Sequence, residues 1–130
     1  MAYYLDTSAL AKLVVAEPET AALQAWLSQA ARNPVSCDLA RTELLRAVRR
    51  AAPDRVVRAR EVLDALTLIE VTTAVFEDAG LLDPNILRSL DAIHLAAALI
   101  LGDDLEGMVT YDDRLGQAAS ANGIAVIAPS

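Results

Sequence analysis

Five short apolar segments, separated by longer stretches with helical spacing, constrain the fold of this chain more than any other feature. They cover residues 2–5, 34–37, 68–71, 108–111 and 124–127. Strands that are covered by helices on both faces are apolar along their whole length. The alternation therefore predicts the α/β class, with a five-stranded, mostly parallel sheet between helices. Because 130 residues is an ordinary domain size, we expect a single domain over residues 1–130.

Helices are predicted between these segments from apolar spacing and from capping residues. Leu23, Trp26 and Leu27 lie three and four residues apart, and Pro18 suits the first turn of the same helix. The predicted N-caps are polar residues before apolar runs, namely Ser8, Asp38, Asp54, Thr72 or Thr73, and Ser89. Pro53, the Asp-Pro pair at 83–84, Gly102 and Gly123 are the predicted helix ends.

Composition argues against a disordered, secreted or membrane protein. The chain is 55% hydrophobic, which is enough apolar surface for a compact core. The most apolar stretch, residues 95–101, is too short to cross a bilayer, and the first residues carry no secretory signal. The one cysteine, Cys37, cannot form an internal disulfide and suits a reducing compartment. We expect a cytoplasmic protein without membrane association.

Basic residues are concentrated in one window although the net charge is −7. Residues 41–60 contain seven of the eleven basic residues and only two acidic ones, a local charge of +5. Such a window is either a solvated helix face or a surface for phosphates or an acidic partner. Both interpretations stay open at this stage.

Four carboxylates occupy positions where each needs a partner. Asp6 and Asp112 follow apolar strands, so they are expected at the C-terminal edge of the sheet, where open α/β folds bind ligands. Glu43 and Asp91 lie in apolar-rich helices, where an unpartnered carboxylate near the core is costly. A shared divalent cation would serve all four, and hard oxygen ligands select Mg²⁺ or Mn²⁺.

Each acid also has an ordinary structural explanation. Glu43 is spaced for a surface ion pair with Arg46, three residues on. Asp91 lies in a first helical turn, where the helix dipole favours a carboxylate. Asp112 or Asp113 can cap the last helix, and His94 can be a packed structural histidine or a support for an acid.

The segment Asp6-Thr7-Ser8 also resembles the opening of two other protein classes. Phosphatases of the haloacid dehalogenase type carry a second Asp two residues after the first, and here that position is Ser8. Phospho-receiver domains need a late Lys, whereas the only lysine is Lys12. Zinc-ligand spacing and a phosphate-binding glycine loop are also absent from the sequence.

The motifs taken together resemble a PIN domain, and closely the VapC-type toxins of toxin–antitoxin pairs. They are YLDTSAL at 4–10, TEL at 42–44, LDAIHLA at 90–96, VTYD at 109–112 and GIAV at 123–126. The resemblance implies a three-layer α/β/α sandwich with strand order 3-2-1-4-5. It also implies a Mg²⁺- or Mn²⁺-dependent endoribonuclease that cuts tRNA, rRNA or mRNA and leaves a 5′ phosphate. A VapB-like antitoxin and a homodimer are the implied protein partners.

The same resemblance assigns the catalytic and metal-binding positions to Asp6, Glu43, Asp91 and Asp112. Asp6 and Asp91 are the expected principal ligands, and Glu43 and Asp112 complete the site or accept a proton from the attacking water. The expected supporting residues around them are Thr7, Ser8, Thr110 and Asp113, the last of which is able to share the duty of Asp112.

RNA contacts are assigned to arginines because the chain has few aromatic residues for base stacking. Only 4% of residues are aromatic, so backbone contacts from Arg46 and Arg50 are expected instead of a stacking platform. Two alternatives to a ribonuclease remain, a metal-dependent DNA nuclease and a catalytically inactive binding module with the PIN fold.

Overall fold

The computed structural model describes residues 1–130 as one five-stranded sheet flanked by seven α-helices. The strands are β1 Ala2–Leu5, β2 Asn33–Cys37, β3 Thr67–Ile69, β4 Leu105–Val109 and β5 Val126–Ile127. The helices are α1 Thr7–Lys12, α2 Thr20–Ser28, α3 Leu39–Ala51, α4 Val56–Asp64, α5 Thr73–Gly80, α6 Ser89–Ile100 and α7 Asp113–Ala121. Short 3₁₀ turns at Pro53–Arg55 and Gly102–Asp104 lead into α4 and β4.

The sheet confirms the predicted order, β3-β2-β1-β4-β5, and all four strand pairs are parallel. β1 lies at the centre, with Tyr4 beside Val35 of β2 and Met108 of β4. The last residues of β1 and β4, Leu5 and Val109, are also register partners. The chain segments that leave these two strands therefore emerge side by side, at the point where the strand order reverses.

Alternate side chains of the central strands enter two separate cores. Tyr4 and Met108 pack in a core formed mainly with α5, α6 and α7. Leu5 and Val109 face the opposite way and pack with α1 to α4. Each fully buried aliphatic side chain in these cores contributes about 1.5–3 kcal/mol. The result is the predicted helix–sheet–helix arrangement, and none of its helices is long and apolar enough to cross a membrane.

Several predicted boundaries and caps were wrong in detail. β4 covers Leu105–Val109 instead of residues 108–111, because Glu106 interrupts the apolar pattern at its start. Asp54 lies in a 3₁₀ turn, and Ser89 is the first residue of α6 and does not cap it. Thr72 does cap α5, since its hydroxyl accepts a hydrogen bond from Val75 N.

Candidate active site

Asp6 is held rigidly at the end of β1. Its Oδ1 accepts hydrogen bonds from Ser8 Oγ at 2.7 Å and from Ala9 N at 3.1 Å, and its Oδ2 accepts one from Thr110 Oγ1 at 2.7 Å. The residue is only 4% exposed, and burial raises the pKa of Asp6 although these hydrogen bonds oppose the shift. The bond from Ala9 N makes Asp6, and not Ser8 as predicted, the N-cap of α1.

Two hydroxyl groups tie the end of β1 to the segment that follows β4. Ser8 Oγ donates to Asp6 and accepts a hydrogen bond from Tyr111 N at 2.9 Å. Thr110 Oγ1 donates to Asp6 and accepts one from Asp112 N at 3.1 Å. Ser8 and Thr110 therefore contact the acid that the sequence predicts them to support, and they fix the position of Asp112 relative to Asp6.

Asp112 follows β4 and caps α7. Its Oδ1 accepts a hydrogen bond from Leu115 N at 3.0 Å, as the capping interpretation predicts. Asp113 is the exposed first residue of α7 and makes no side-chain hydrogen bond or ion pair. Of the two neighbours, Asp112 is the one that Thr110 connects to Asp6.

Glu43 points into the protein and pairs with a buried histidine. Its Oε1 accepts hydrogen bonds from Thr7 Oγ1 at 2.7 Å and from His94 Nε2 at 2.5 Å. The alternative of a surface ion pair with Arg46 is wrong, because the ion-pair partner of Glu43 is His94. Burial opposes the ionised form, but the contacts with His94 and Thr7 prevail and lower the pKa of Glu43.

His94 connects Glu43 to the centre of the sheet. Its Nδ1 lies 2.7 Å from Tyr4 Oη and 3.8 Å from Cys37 Sγ. Burial alone would lower the pKa of His94, but hydrogen bonds to Cys37 and Glu43 raise it to about 10. A protonated imidazole donates Nε2–H to Glu43 and so holds this carboxylate in one orientation. Sequence reasoning named His94 but missed this pairing, because the two residues are 51 positions apart.

Asp91 is a partly buried acid on which the charges of two other acids act. It lies in the first turn of α6, its side chain is 19% exposed, and its Oδ2 is 3.7 Å from Arg88 Nε. Burial raises the pKa of Asp91, and the charges of Asp112 and Asp6 add to the shift. The charges of Asp6 and Asp112 therefore act on Asp91.

The donor chemistry of these acids fits a hard divalent cation, although the side chains do not enclose one as placed. No three His, Cys, Asp or Glu side chains are grouped closely enough to hold a metal ion. The oxygen donors are nevertheless of the kind that Mg²⁺ and Mn²⁺ prefer, and a cation would offset the repulsion that raises the pKa of Asp91. The four-acid metal site stays a prediction.

The two arginines predicted to contact RNA, Arg46 and Arg50, are exposed on α3. Neither makes an ion pair, although both follow Glu43 on the same helix. Their availability is consistent with either a solvated face or a phosphate contact, so their role also stays a prediction.

Comparison with known proteins places the chain in a family. Residues 3–121 match the PIN domain family. Ribonuclease VapC46 of Mycobacterium tuberculosis is 48% identical over 130 residues, which cover 99% of this chain and 98% of that protein. Ribonuclease VapC47 of the same species is 42% identical over 130 residues, covering 97% and 96% of the two chains.

Solved structures have the same fold. VapC20 of M. tuberculosis, described as a sarcin-ricin loop cleaving toxin, superposes with a TM-score of 0.75 at 18% identity over 98% of this chain and 99% of that one. A chain of a toxin–antitoxin complex from Klebsiella pneumoniae gives a TM-score of 0.69 at 23% identity over 98% of both chains. The family match, the relatives that align over nearly the whole chain and the shared fold all agree. This chain therefore belongs to the PIN-domain family, among its VapC ribonucleases.

Proposed function

We propose that this protein is a metal-dependent endoribonuclease, the toxin of a VapBC-type toxin–antitoxin pair, which hydrolyses phosphodiester bonds in tRNA, rRNA or mRNA. One observation carries the proposal. Asp6 and Asp112 follow β1 and β4 at one edge of the sheet and their charges act on Asp91, in a chain similar to VapC ribonucleases over nearly its whole length.

Hydrolysis of a phosphodiester needs neutralised phosphoryl oxygens and a deprotonated water. A bound Mg²⁺ or Mn²⁺ would supply both, by polarising the phosphate and lowering the pKa of water. Asp6 and Asp91 would hold the ion, with Glu43 and Asp112 completing its surroundings. The chain itself supplies the rigidity of the site, because Ser8 and Thr110 prevent Asp6 from rotating.

Glu43 is better suited to act as a permanently charged carboxylate than as a proton acceptor. The pKa of Glu43 is lowered by His94 and Thr7, so this carboxylate holds a proton weakly. A general base works best when its pKa lies near the operating pH. The hydrogen bonds to Glu43 both go to Oε1, so its Oε2 has no protein partner and is free to orient water.

A VapB-like antitoxin is the proposed protein partner, together with a second copy of the chain. A groove of about 280 Å³ between α2 and α4 is lined by apolar residues that include Leu27, Val62 and Leu66, with Arg58 and Glu61 also at its wall. An amphipathic segment of a partner fits such a groove. The two helices lie within residues 8–31 and 54–66, and we propose these apolar helical stretches as the homodimer and antitoxin surfaces.

The decisive experiment compares cleavage of single-stranded RNA and of DNA of the same sequence. The purified protein is incubated with Mg²⁺, with Mn²⁺ or with a chelator, and the product ends are mapped. We expect RNA cleavage that depends on the metal and leaves 5′ phosphates. Preferential cleavage of DNA would indicate a DNA nuclease instead, and no cleavage of either substrate would indicate a binding module.

Asp6→Asn tests the site itself. Asn keeps the shape and the Oδ1 acceptor but removes the charge, so we expect at least about a 100-fold loss of cleavage with the fold retained. Asp64→Asn is the matched control, since Asp64 is exposed at the end of α4 and makes no ion pair. Full activity of Asp6→Asn would contradict the assignment.

A further inference from the structure

We infer that a cleft beside Asp91 binds one nucleotide of the RNA substrate, with a backbone phosphate held by Arg114 and Arg88. The inference rests on the proposed ribonuclease function and goes beyond the four acids, since neither arginine belongs to the predicted site. It concerns the substrate side of the reaction, namely how a strongly acidic protein retains a polyanion.

The cleft, called here the Arg114 cleft, lies between the N-terminal half of α7, the start of α6 and the segment before α6. Its volume is about 400 Å³, which lies in the range of small-ligand sites. Arg88, Asp91, Arg114 and Gln117 supply its polar groups, and apolar side chains that include Ile86 and Leu87 supply the rest. Asp91, a candidate acid of the active site, therefore forms part of the wall of the cleft.

Arg114 is the cation in the cleft that the protein leaves without a partner. Outside the basic window at 41–60, the chain has only four basic residues, Lys12, Arg32, Arg88 and Arg114. Lys12 pairs with two glutamates on its own side of the sheet, and Arg32 lies over the ring of Trp26. Arg114 makes no side-chain hydrogen bond or ion pair and is exposed. Its five donors are available to an anion at the cleft.

Arg88 adds a second charge that the protein uses only in part. The closest approach between Arg88 Nε and Asp91 Oδ2 is 3.7 Å, which is too long for a hydrogen bond, and 69% of the Arg88 side chain is exposed. The guanidinium can therefore contact a phosphate while it remains near Asp91. Each guanidinium carries a fork of donors that can bind a phosphate in bidentate fashion, and both arginines line the one cleft.

The surroundings favour a nucleotide over a simple anion. Asp6, Asp91 and Asp112 repel a free anion from the neighbouring edge, whereas a phosphate that belongs to a bound strand is retained by its other contacts. Ile86, which is 87% exposed, and Leu87 offer an apolar surface to one face of a base. Gln117 offers an amide that can donate to and accept from a base edge. These groups together match a phosphate, a base face and a base edge.

The main test replaces Arg114 by glutamine. Binding of a fluorescently labelled, short single-stranded RNA of mixed sequence is measured by anisotropy at several salt concentrations, on an Asp6→Asn background that prevents cleavage. We expect about a fivefold rise in Kd, and a decrease of about 0.7 in the slope of log affinity against log salt, because one phosphate contact is lost. In the otherwise native chain, KM should rise while kcat changes little.

Arg60→Gln is the matched control. Arg60 is exposed on α4, makes no ion pair and does not line the Arg114 cleft, so the same charge change there should raise the Kd and reduce the salt slope clearly less than Arg114→Gln does. Thermal melts of both variants should coincide with that of the parent protein, since neither side chain makes an internal hydrogen bond or ion pair.

Gln117→Ala tests the part of the inference that concerns the base. Gln117 is exposed on α7, so its removal should not disturb folding. The preference for one base at a single position next to the mapped cut should weaken, while the salt slope stays the same, because no charge is removed.

The outcomes separate the inference from the function on which it rests. If the native protein cleaves RNA but Arg114→Gln leaves KM, Kd and salt slope unchanged, the inference is overturned and the ribonuclease proposal stands. If the native protein cleaves no RNA, the ribonuclease proposal fails, and the binding measurement alone then decides whether the cleft holds RNA. Tighter Arg114-dependent binding of a polyglutamate peptide than of the RNA would overturn the inference in favour of a protein partner.

Discussion

Asp6, Glu43 and Asp91 divide into two halves that differ in how firmly the protein holds them. Asp6 and Glu43, the closed half, each accept short hydrogen bonds from buried or partly buried side chains. Asp91, the open half, has one long contact with Arg88 and borders the Arg114 cleft. Hydrogen bonds fix the closed half before any ligand arrives, whereas no hydrogen bond fixes Asp91 and its side chain lines the cleft.

This difference indicates a division of labour within one site. Preorganised groups stabilise a transition state without reorganising during the reaction, and this suits the closed half. A group without internal hydrogen bonds gives up no such bond when it contacts a ligand, so binding costs less free energy. This suits the open half.

Replacing His94 by glutamine should have the largest effect on stability, because it removes the buried cation that pairs with Glu43. We expect the free energy of unfolding to fall by about 2–4 kcal/mol, measured by urea denaturation. Asp91→Asn is the contrasting variant in the open half and should change the stability of the metal-free protein by less than about 1 kcal/mol. Equal losses in the two variants would remove the distinction between the halves.

Addition of a divalent cation should stabilise the native protein and not Asp91→Asn. Saturation at about 100 times the Kd adds about 2.7 kcal/mol to the free energy of unfolding. Thermal melts with Mg²⁺, Mn²⁺ and a chelator measure this shift, and Asp64→Asn serves as the control that should keep it. An identical shift in Asp91→Asn would show that the ion binds elsewhere.

The sequence predicts the fold well because the fold depends on local patterns. Five apolar segments and the spacing between them indicate the sheet, and Asp6 and Asp112 are at its edge because a strand precedes each of them. The pairing of Glu43 with His94 is different, because it joins α3 to α6 and depends on how two helices pack against the same sheet. No local spacing reports such a contact.

The Arg114 cleft also escaped sequence reasoning, for a related reason. Arg88 lies three residues before Asp91 and Arg114 lies two residues after Asp112, so each arginine is next to a predicted acid. That spacing is a usable signal, but it does not show that α6 and α7 bring the two arginines to one cleft. The spacing of residues along the sequence does not report how two helices are placed relative to each other.

Thr110→Val should weaken the link between the closed half and Asp112. Val keeps the volume but removes the hydroxyl that donates to Asp6 and accepts from Asp112 N. We expect a loss of about 1–2 kcal/mol in the free energy of unfolding, and about a tenfold loss of cleavage. Thr67→Val on the exposed side of β3 is the control and should leave both quantities nearly unchanged. A variant with normal cleavage would mean that Asp6 needs no support from β4.

The smallest effect is expected from the double change Arg46→Gln and Arg50→Gln on α3. If these exposed side chains contact the RNA backbone, the KM for RNA should rise a few-fold and the salt slope should decrease, while kcat stays unchanged, because the contacts lie outside the acids. Arg60→Gln removes one charge elsewhere in the same basic window and should raise the KM less than the double change does. If the double variant has the KM of the native protein, this window is a solvated helix face. RNA retention would then depend on the open half, where Arg114 and Asp91 line the same cleft.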